Sequence, residues 1–436
     1  MIIILLINYN DMSLQARIEQ KKIYVKGIGG ERPLLPLSYE AMKRQAREKL
    51  SPEGFAYISG GAGREETQSA NRRAFQQWEI LPSMLRGKEY VDTSIKLLGK
   101  KQVSPYFLAP IGVLDMARAK GDMKVAGAAA AEQIPLVISN QASAPMEAIA
   151  ERMGDAERWF QLYYSKSQNL VQSLVERADA AGCSCIVVTL DTTQLGWRRR
   201  DLDLGFLPFL QGKGIAQYTS DPEFQRLLDE ESKPEMKDAI RPRINAATLR
   251  TLWSQKRNYP GDFKKWFSSR PSRAVQEFIS VFSRSDLSWK EIELLRSYTD
   301  LPIVLKGIQT VSDAQTAMDK GINALYISNH GGRQVDGACA SLDQLYLIRQ
   351  AVGEDYPLLF DSGVRSGADA MKALCLGATA VGIGRPYVYA LALKGEKGVR
   401  QMLRYYRAEL EQNMFLSGCT SVSDLSPEIL RSFQSQ

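Results

Sequence analysis

Histidine is almost absent from this chain: its 436 residues contain one, His330. Cysteine is sparse too, with five residues, Cys183, Cys185, Cys339, Cys375 and Cys419. None forms a CxxC pair or a zinc-type spacing, so no metal site is expected. The odd count, and the single residue between Cys183 and Cys185, argue against a disulfide framework; a reducing cytoplasm is the expected location. There is no basic tail either. The net charge of +7 is spread along the chain, which makes nucleic acid a poor candidate partner. An anionic substrate or a phosphate-bearing cofactor suits the surplus of Lys and Arg better. No apolar run approaches the roughly 20 residues of a membrane span. The apolar start, Met1 to Ile7, lacks the basic flank and cleavage site of a signal peptide, and reads as an extension preceding a start at Met12. Internal repeats and low-complexity tracts are also missing.

What is present is ordinary globular composition, 44% hydrophobic and 24% charged, with a strong rhythm. Eight short apolar runs follow one another: Phe107–Ala109, Pro135–Ile138, Trp159–Leu162, Cys185–Leu190, Pro302–Leu305, Ala324–Ile327, Pro357–Phe360 and Ala380–Ile383. Most lack alternation, as expected of parallel strands buried on both faces. Helical stretches such as Met123–Gln133, Leu170–Ala181, Asp313–Lys320 and Gly367–Leu376 lie between them. Eight βα units predict an α/β fold, a (β/α)8 TIM barrel. Residues 36–430 would form it, after an N-terminal extension over 1–35. The segment that begins with a helix at Tyr39–Leu50 caps it. More than a hundred residues separate Leu190 from Pro302, with Tyr218, Trp253, Tyr259 and Trp266 among them. A connection that long after the fourth strand emerges at the C-terminal face and predicts a lid over 205–285, with disorder as the alternative.

The strand ends carry the chemistry. His330 follows the sixth run, in Ser328-Asn329-His330-Gly331-Gly332-Arg333-Gln334. A lone imidazole at a barrel mouth is suited to proton transfer near neutral pH. Polar residues end nearly every other run: Ser139 after the second, Gln161 and Tyr163 at the third, Thr189, Asp191 and then Arg198 at the fourth, and Lys306 at the fifth. A lysine or aspartate directly after a buried run needs a partner. The first run leads into Pro110-Ile111-Gly112. The seventh leads into Asp361-Ser362-Gly363-Val364-Arg365, and the eighth into Gly384-Arg385. Glycine-bearing loops with arginines at the last two strands are where barrels commonly hold a phosphate.

The run SNHGGRQ with Asp336 after it resembles the active-site motif of FMN-dependent L-2-hydroxy acid oxidases and dehydrogenases. The resemblance extends from about Pro36 to about Leu425. It takes in Tyr57-Ile58-Ser59-Gly60-Gly61-Ala62, Phe160-Gln161-Leu162-Tyr163, Thr189-Leu190-Asp191-Thr192, Leu305-Lys306-Gly307, Asp361 to Arg365 and Gly384-Arg385-Pro386. It implies FMN as cofactor, a small 2-hydroxy acid and O2 as substrates, and a homo-oligomer, tetramer or octamer. By position, His330 would take a proton from the substrate hydroxyl or α-carbon, with Asp191 stabilising the imidazolium. Arg198, Arg333 and Tyr57 would hold the carboxylate, and Tyr163 the oxygen that becomes a ketone. Lys306 would lie beside the flavin edge where reduction builds negative charge. Pro110, Ile111, Gly112, Ser139, Gln161, Thr189, Ser328 and Asp361 would contact the flavin or its ribityl chain. Gly363, Arg365, Gly384 and Arg385 would hold its phosphate.

Two positions depart from the family pattern. Gln141 stands where several relatives have an aromatic or small residue near the substrate, and Ser362 stands where the phosphate loop has glycine. The segment Leu195 to Leu202, then Gly205 to Leu210 and Tyr218 to Pro222, is similar to the lactate 2-monooxygenase branch, which shares the long connection after strand four. That likeness implies conversion of lactate and O2 to acetate, CO2 and water. The alternatives are an oxidase releasing 2-oxo acid and H2O2, a quinone-linked dehydrogenase, and a non-catalytic flavin-binding protein.

Overall fold

A computed structural model describes residues 14–87, 89–230, 243–261 and 268–432. The eight apolar runs become eight parallel strands: β1 (Tyr106–Leu108), β2 (Leu136–Ile138), β3 (Arg158–Leu162), β4 (Ile186–Thr189), β5 (Ile303–Ile308), β6 (Ala324–Ile327), β7 (Leu358–Phe360) and β8 (Ala380–Ile383). They pair in chain order, and β8 pairs back onto β1 to close the barrel. The period-2 geometry of a strand sorts the side chains. Phe107, Val137, Trp159, Val187, Val304 and Leu359 fill the interior. Their neighbours Leu108, Ile138, Phe160, Val188, Leu305 and Phe360 face the helices. Inside, the Phe107 ring packs on Trp159 and Tyr326 at 5.3 and 5.2 Å between centroids. A hairpin of Ile95–Leu97 and Lys100–Gln102 lays Ile95, Leu97 and Leu98 on this interior cluster from below.

Most boundaries fall within two residues of the sequence reading. The exception is β5, which runs on past Leu305 to Ile308. Its register against β6 shifts between Lys306 and Ile308, a bulge centred on Gly307 at φ 106°. A Cβ there would lie 3.0 Å from the Asp191 Cβ. Glycine therefore serves twice, adopting a backbone angle other residues resist and letting Asp191 approach.

The barrel helices are α1 (Gly121–Glu132), α2 (Met146–Met153), α3 (Gln168–Ala180), α4 (Trp289–Leu295), α5 (Val311–Asp319), α6 (Ser341–Val352), α7 (Gly367–Cys375) and α8 (Arg385–Leu416, interrupted at Gly395). Side-chain caps start several: Ser167 accepts from Leu170 N at α3, Thr310 from Asp313 N at α5, and Ser366 from Asp369 N at α7. Helix α3 buries Leu170, Val171, Leu174, Val175 and Ala178, one stripe of a 3.6-residue repeat. Before the barrel, helices Tyr39–Lys49, Pro52–Ser59 and Glu66–Gln76 form the cap. The preceding helix Gln15–Ile28 rests on α8, where Ala16 N donates to Glu411 Oε2 at 2.7 Å.

The long connection after β4 has a core of its own. It carries helices Arg199–Asp203, Ala216–Thr219, Pro222–Asp229, Ala246–Asn258 and Arg270–Val281. Tyr218, Phe224 and Phe278 are fully buried, with Tyr218 and Phe278 edge-to-face at 4.8 Å. The Tyr218 hydroxyl donates to Asn140 Oδ1 at 2.9 Å, tying the excursion to the loop after β2. The described part of this connection is therefore built of packed helices; residues 231–242 and 262–267 of the expected lid, Trp266 among them, and the apolar start Met1 to Ile7 lie outside the described residues. No helix among the described residues is long and apolar enough to cross a membrane.

Candidate active site

The loop after β6 turns back on itself. His330 sits at φ 58°, followed by Gly331 at 64°. A non-glycine residue in the left-handed region stores about 1 kcal/mol or more of strain, and the surroundings must hold it. They do so with hydrogen bonds. His330 N donates to Ser328 Oγ at 3.1 Å, and Gly331 N donates to Ser362 Oγ at 3.0 Å. Ser362 is itself at φ 83° and donates to Asp361 Oδ1 at 2.8 Å. Serine in place of the family's glycine thus adds a strut between the β6 and β7 loops.

The imidazole Nδ1 lies 2.9 Å from Asp191 Oδ1, and Thr192 Oγ1 donates to the same oxygen at 3.0 Å. Burial opposes ionisation of Asp191, but the His330 and Lys306 charges outweigh it and hold the carboxyl at about 2. An ionised Asp191 fixes the tautomer: Nδ1–H donates and Nε2 keeps its lone pair. Burial likewise pulls the His330 pKa below its usual value, against the raising effect of Asp191. At neutral pH the ring is a neutral base. Asp191 Oδ2 has no hydrogen-bond partner and faces Lys306 Nζ at 3.9 Å.

Two guanidiniums stand opposite. Arg333 Nη1 donates to the carbonyls of Tyr57 (2.6 Å) and Gly60 (2.9 Å), and its Cζ lies 5.1 Å from the Tyr57 ring centre. Arg198 lies over the same ring at 5.7 Å, with Nη1 3.6 Å from Asp201 and a buried Nε that has no partner. Burial first, and the adjacent Arg198 charge second, lower Arg333 to about 9. A carboxylate bound between them would relieve that repulsion. Beside them Tyr163 is buried, and burial followed by the Asp191 charge pushes its hydroxyl pKa up, so it stays protonated.

One step above the apolar interior, the same inward-facing positions turn polar: Gln161 above Trp159, Thr189 above Val187, Lys306 above Val304, Ser328 above Tyr326 and Asp361 above Leu359. Ser139 donates to Gln161 (3.1 Å) and Gln161 to Thr189 (2.8 Å). Lys306 donates to Ser328 (3.0 Å) and Ser328 to Asp361 (2.6 Å). Such a layer, 3% exposed at Lys306, is costly in a hydrophobic barrel unless something polar lies on it.

Above it opens a cavity, partly open to solvent. Of the residues singled out from sequence, Tyr57, Tyr163, Arg198, Lys306, His330 and Arg333 line it on the acid–base side. Pro110, Ile111, Gly112 and Asp361 line its floor and near wall; Gly363, Arg365, Gly384 and Arg385 line its far end. Ser139, Gln161, Thr189 and Ser328 do not reach the cavity wall, and Asp191 stands behind His330. Sequence reasoning did not single out Thr192, Leu195, Phe209, Phe282 or Gln334 as site residues, yet all five line the cavity. Thr192 and Gln334 lie within the quoted motifs, at their last positions. Phe209 and Phe282 come from the excursion, where sequence gives no side-chain direction.

A profile for FMN-dependent dehydrogenases matches residues 46–432. The chain belongs to that family. An FMN-dependent alpha-hydroxy acid dehydrogenase of Penicillium citrinum is 38% identical over 413 residues, 94% of this chain and 95% of the relative. An L-lactate oxidase of Lysinibacillus sphaericus is 35% identical over 403 residues, covering 92% and 94%. A crystal structure of mandelate oxidase with (S)-4-hydroxymandelic acid superposes with a TM-score of 0.73 at 33% identity, over 91% of this chain and 98% of that one. The protein is thus an FMN-dependent oxidoreductase of the 2-hydroxy acid oxidase and dehydrogenase family. Its donor set fits such a cofactor. Arg365, at the top of β7, keeps a buried Nε without a partner among the described residues. Arg385 stands at the start of α8, its guanidinium braced on the Ile58, Gly60 and Gly331 carbonyls. Of the polar layer, Lys306 and Asp361 reach the cavity wall.

Proposed function

We propose that the enzyme oxidises a small L-2-hydroxy acid, L-lactate first among those to test, and that its covered pocket makes it a 2-monooxygenase yielding acetate, CO2 and water. The observation that carries the oxidation is the 2.9 Å contact of the only histidine with Asp191, across a cavity from two buried arginines. Arg333, Arg198 and Tyr57 grip the substrate carboxylate, which turns C2 toward His330. Nε2 of His330 takes the proton from the hydroxyl or α-carbon, and Asp191 stabilises the imidazolium that results. The protonated Tyr163 hydroxyl donates to the substrate oxygen as it becomes a carbonyl. Bound FMN would supply the acceptor for the electron pair and its onward transfer to oxygen. Lys306 places a fixed positive charge where that exchange builds negative charge. Arg365 and Arg385, with Gly363 and Gly384, hold the cofactor phosphate. Pro110, Ile111, Gly112 and Asp361, which line the cavity, would hold its ring and ribityl chain, with the Ser139, Gln161, Thr189 and Ser328 layer beneath them.

The monooxygenase outcome is supported by the excursion, which walls the cavity with Phe209 and Phe282 and rests on a buried aromatic base. Such a cover slows product exit and keeps 2-oxo acid and peroxide together. A second reading, simple oxidase, is favoured by the extended similarity to the L-lactate oxidase. Aerobic turnover of L-lactate without catalase separates them. Acetate and CO2 with little peroxide support the monooxygenase; pyruvate with stoichiometric peroxide supports the oxidase.

A further inference from the structure

Both departures from the family pattern, Gln141 and Ser362, line the cavity; Ser362 is spent on the strut to Gly331, whereas Gln141 shares the cavity wall with Tyr163 and Phe209. It is 8% exposed, and among the described residues its carboxamide makes no hydrogen bond. Its backbone, by contrast, is held from three directions. Gln141 N donates to Ser139 Oγ at 3.1 Å, and Val113 N donates to Gln141 O at 2.9 Å. A Cβ on Gly112 would lie 2.9 Å from the Gln141 Cβ, and one on Gly214 would lie 3.0 Å from its carbonyl oxygen. The glycines of the β1 loop and of the excursion thus make room for this residue. Its neighbour Asn140 is pinned by Tyr218 and by Tyr163 N. The carboxamide atoms keep some exposure to the cavity, free for a ligand, and the backbone that carries them is held in place.

The carboxylate grip, Arg333 and Tyr57, comes from the β6 loop and the N-terminal cap. Gln141 follows β2, across the barrel from β6, where the β1 and β2 loops meet the excursion, and it lines the same cavity as apolar Phe209, Phe282 and Leu195. We infer that Gln141 recognises a hydroxyl on the substrate carbon next to C2, so that the preferred substrate is a 2,3-dihydroxy acid of glycerate type over lactate. The inference rests on the oxidation proposed above and narrows its substrate class. A hydroxyl both donates and accepts, matching the amide's Oε1 and Nε2 in one reciprocal contact. A methyl group would offer the amide no hydrogen bond in place of water.

Binding of hydroxypyruvate and pyruvate, which differ only by that hydroxyl, to the oxidised holoenzyme by titration calorimetry tests it. The wild type is expected to bind hydroxypyruvate roughly 3- to 10-fold more tightly, the range of one neutral hydrogen bond. In Gln141→Leu, and in Gln141→Met should the first variant fold poorly, the ratio is expected to fall to about one. Equal affinities in the wild type, or a preference unchanged in the variants, would overturn the inference. Anaerobic bleaching of the flavin by L-glycerate or L-lactate reports on the oxidation separately, so that loss of both bleaching reactions sinks that reading whatever the binding ratio.

Discussion

At the scale of single residues, the account turns on which proton-bearing groups are held in which state. The His330 pKa lies below the ordinary value and the base must be deprotonated to act, so kcat/KM is expected to be flat at neutral pH and to fall only as acid pH reaches that lowered pKa. Asp191 raises the His330 pKa; in Asp191→Asn the acid limb therefore moves to lower pH while the plateau drops, as the imidazolium loses its counter-charge. A pH–rate profile in which the limb stays put or moves upward would contradict the pairing. Arg333→Lys cannot keep both a bidentate carboxylate contact and the Tyr57 and Gly60 carbonyl bonds. It is expected to raise KM for lactate by about tenfold or more and also to lower Tm. His330, Asp191 and the arginines were legible in the sequence because each directly follows a buried run or sits in an ordered motif. Gln141 could be flagged there only as a departure, since the lack of a partner is a fact about three dimensions.

At the scale of elements, the strands were legible because parallel strands buried on both faces leave unbroken apolar runs. What the pattern concealed was the top of β5, where Lys306 and Gly307 continue the strand through a bulge. A lysine reads as the end of an apolar run, although this one points into the polar layer above the core. Gly307→Ala tests the bulge: the positive φ and the 3.0 Å approach to Asp191 should cost about 1–3 kcal/mol of stability and displace the His330 partner. Thermal unfolding together with turnover would show both losses. An alanine variant with unchanged Tm and rate would mean that neither the angle nor the contact matters.

At the scale of the whole molecule, closure of the barrel and the excursion after β4 act together. The barrel fixes acid–base and carboxylate-binding groups on separate loops, and the excursion adds the wall that sequence could size but not orient. Phe278, fully buried against Phe209, Tyr218 and Phe282, anchors that wall. Phe278→Ala is expected to lose about 3–5 kcal/mol of stability and to shift products from acetate toward free pyruvate and peroxide. Unchanged products in a folded variant would detach the excursion from the chemistry. In the function proposed here, one histidine, seated on one aspartate, draws the proton that lets a 2-hydroxy acid give up its electrons. Rapid anaerobic mixing of the yellow protein with L-lactate or L-glycerate, for wild type and His330→Gln, tests it most directly. Fast bleaching of the flavin in the wild type, slowed about a hundredfold to ten-thousandfold in a variant that still holds FMN, is the predicted result. Equal bleaching rates in the two proteins would contradict it.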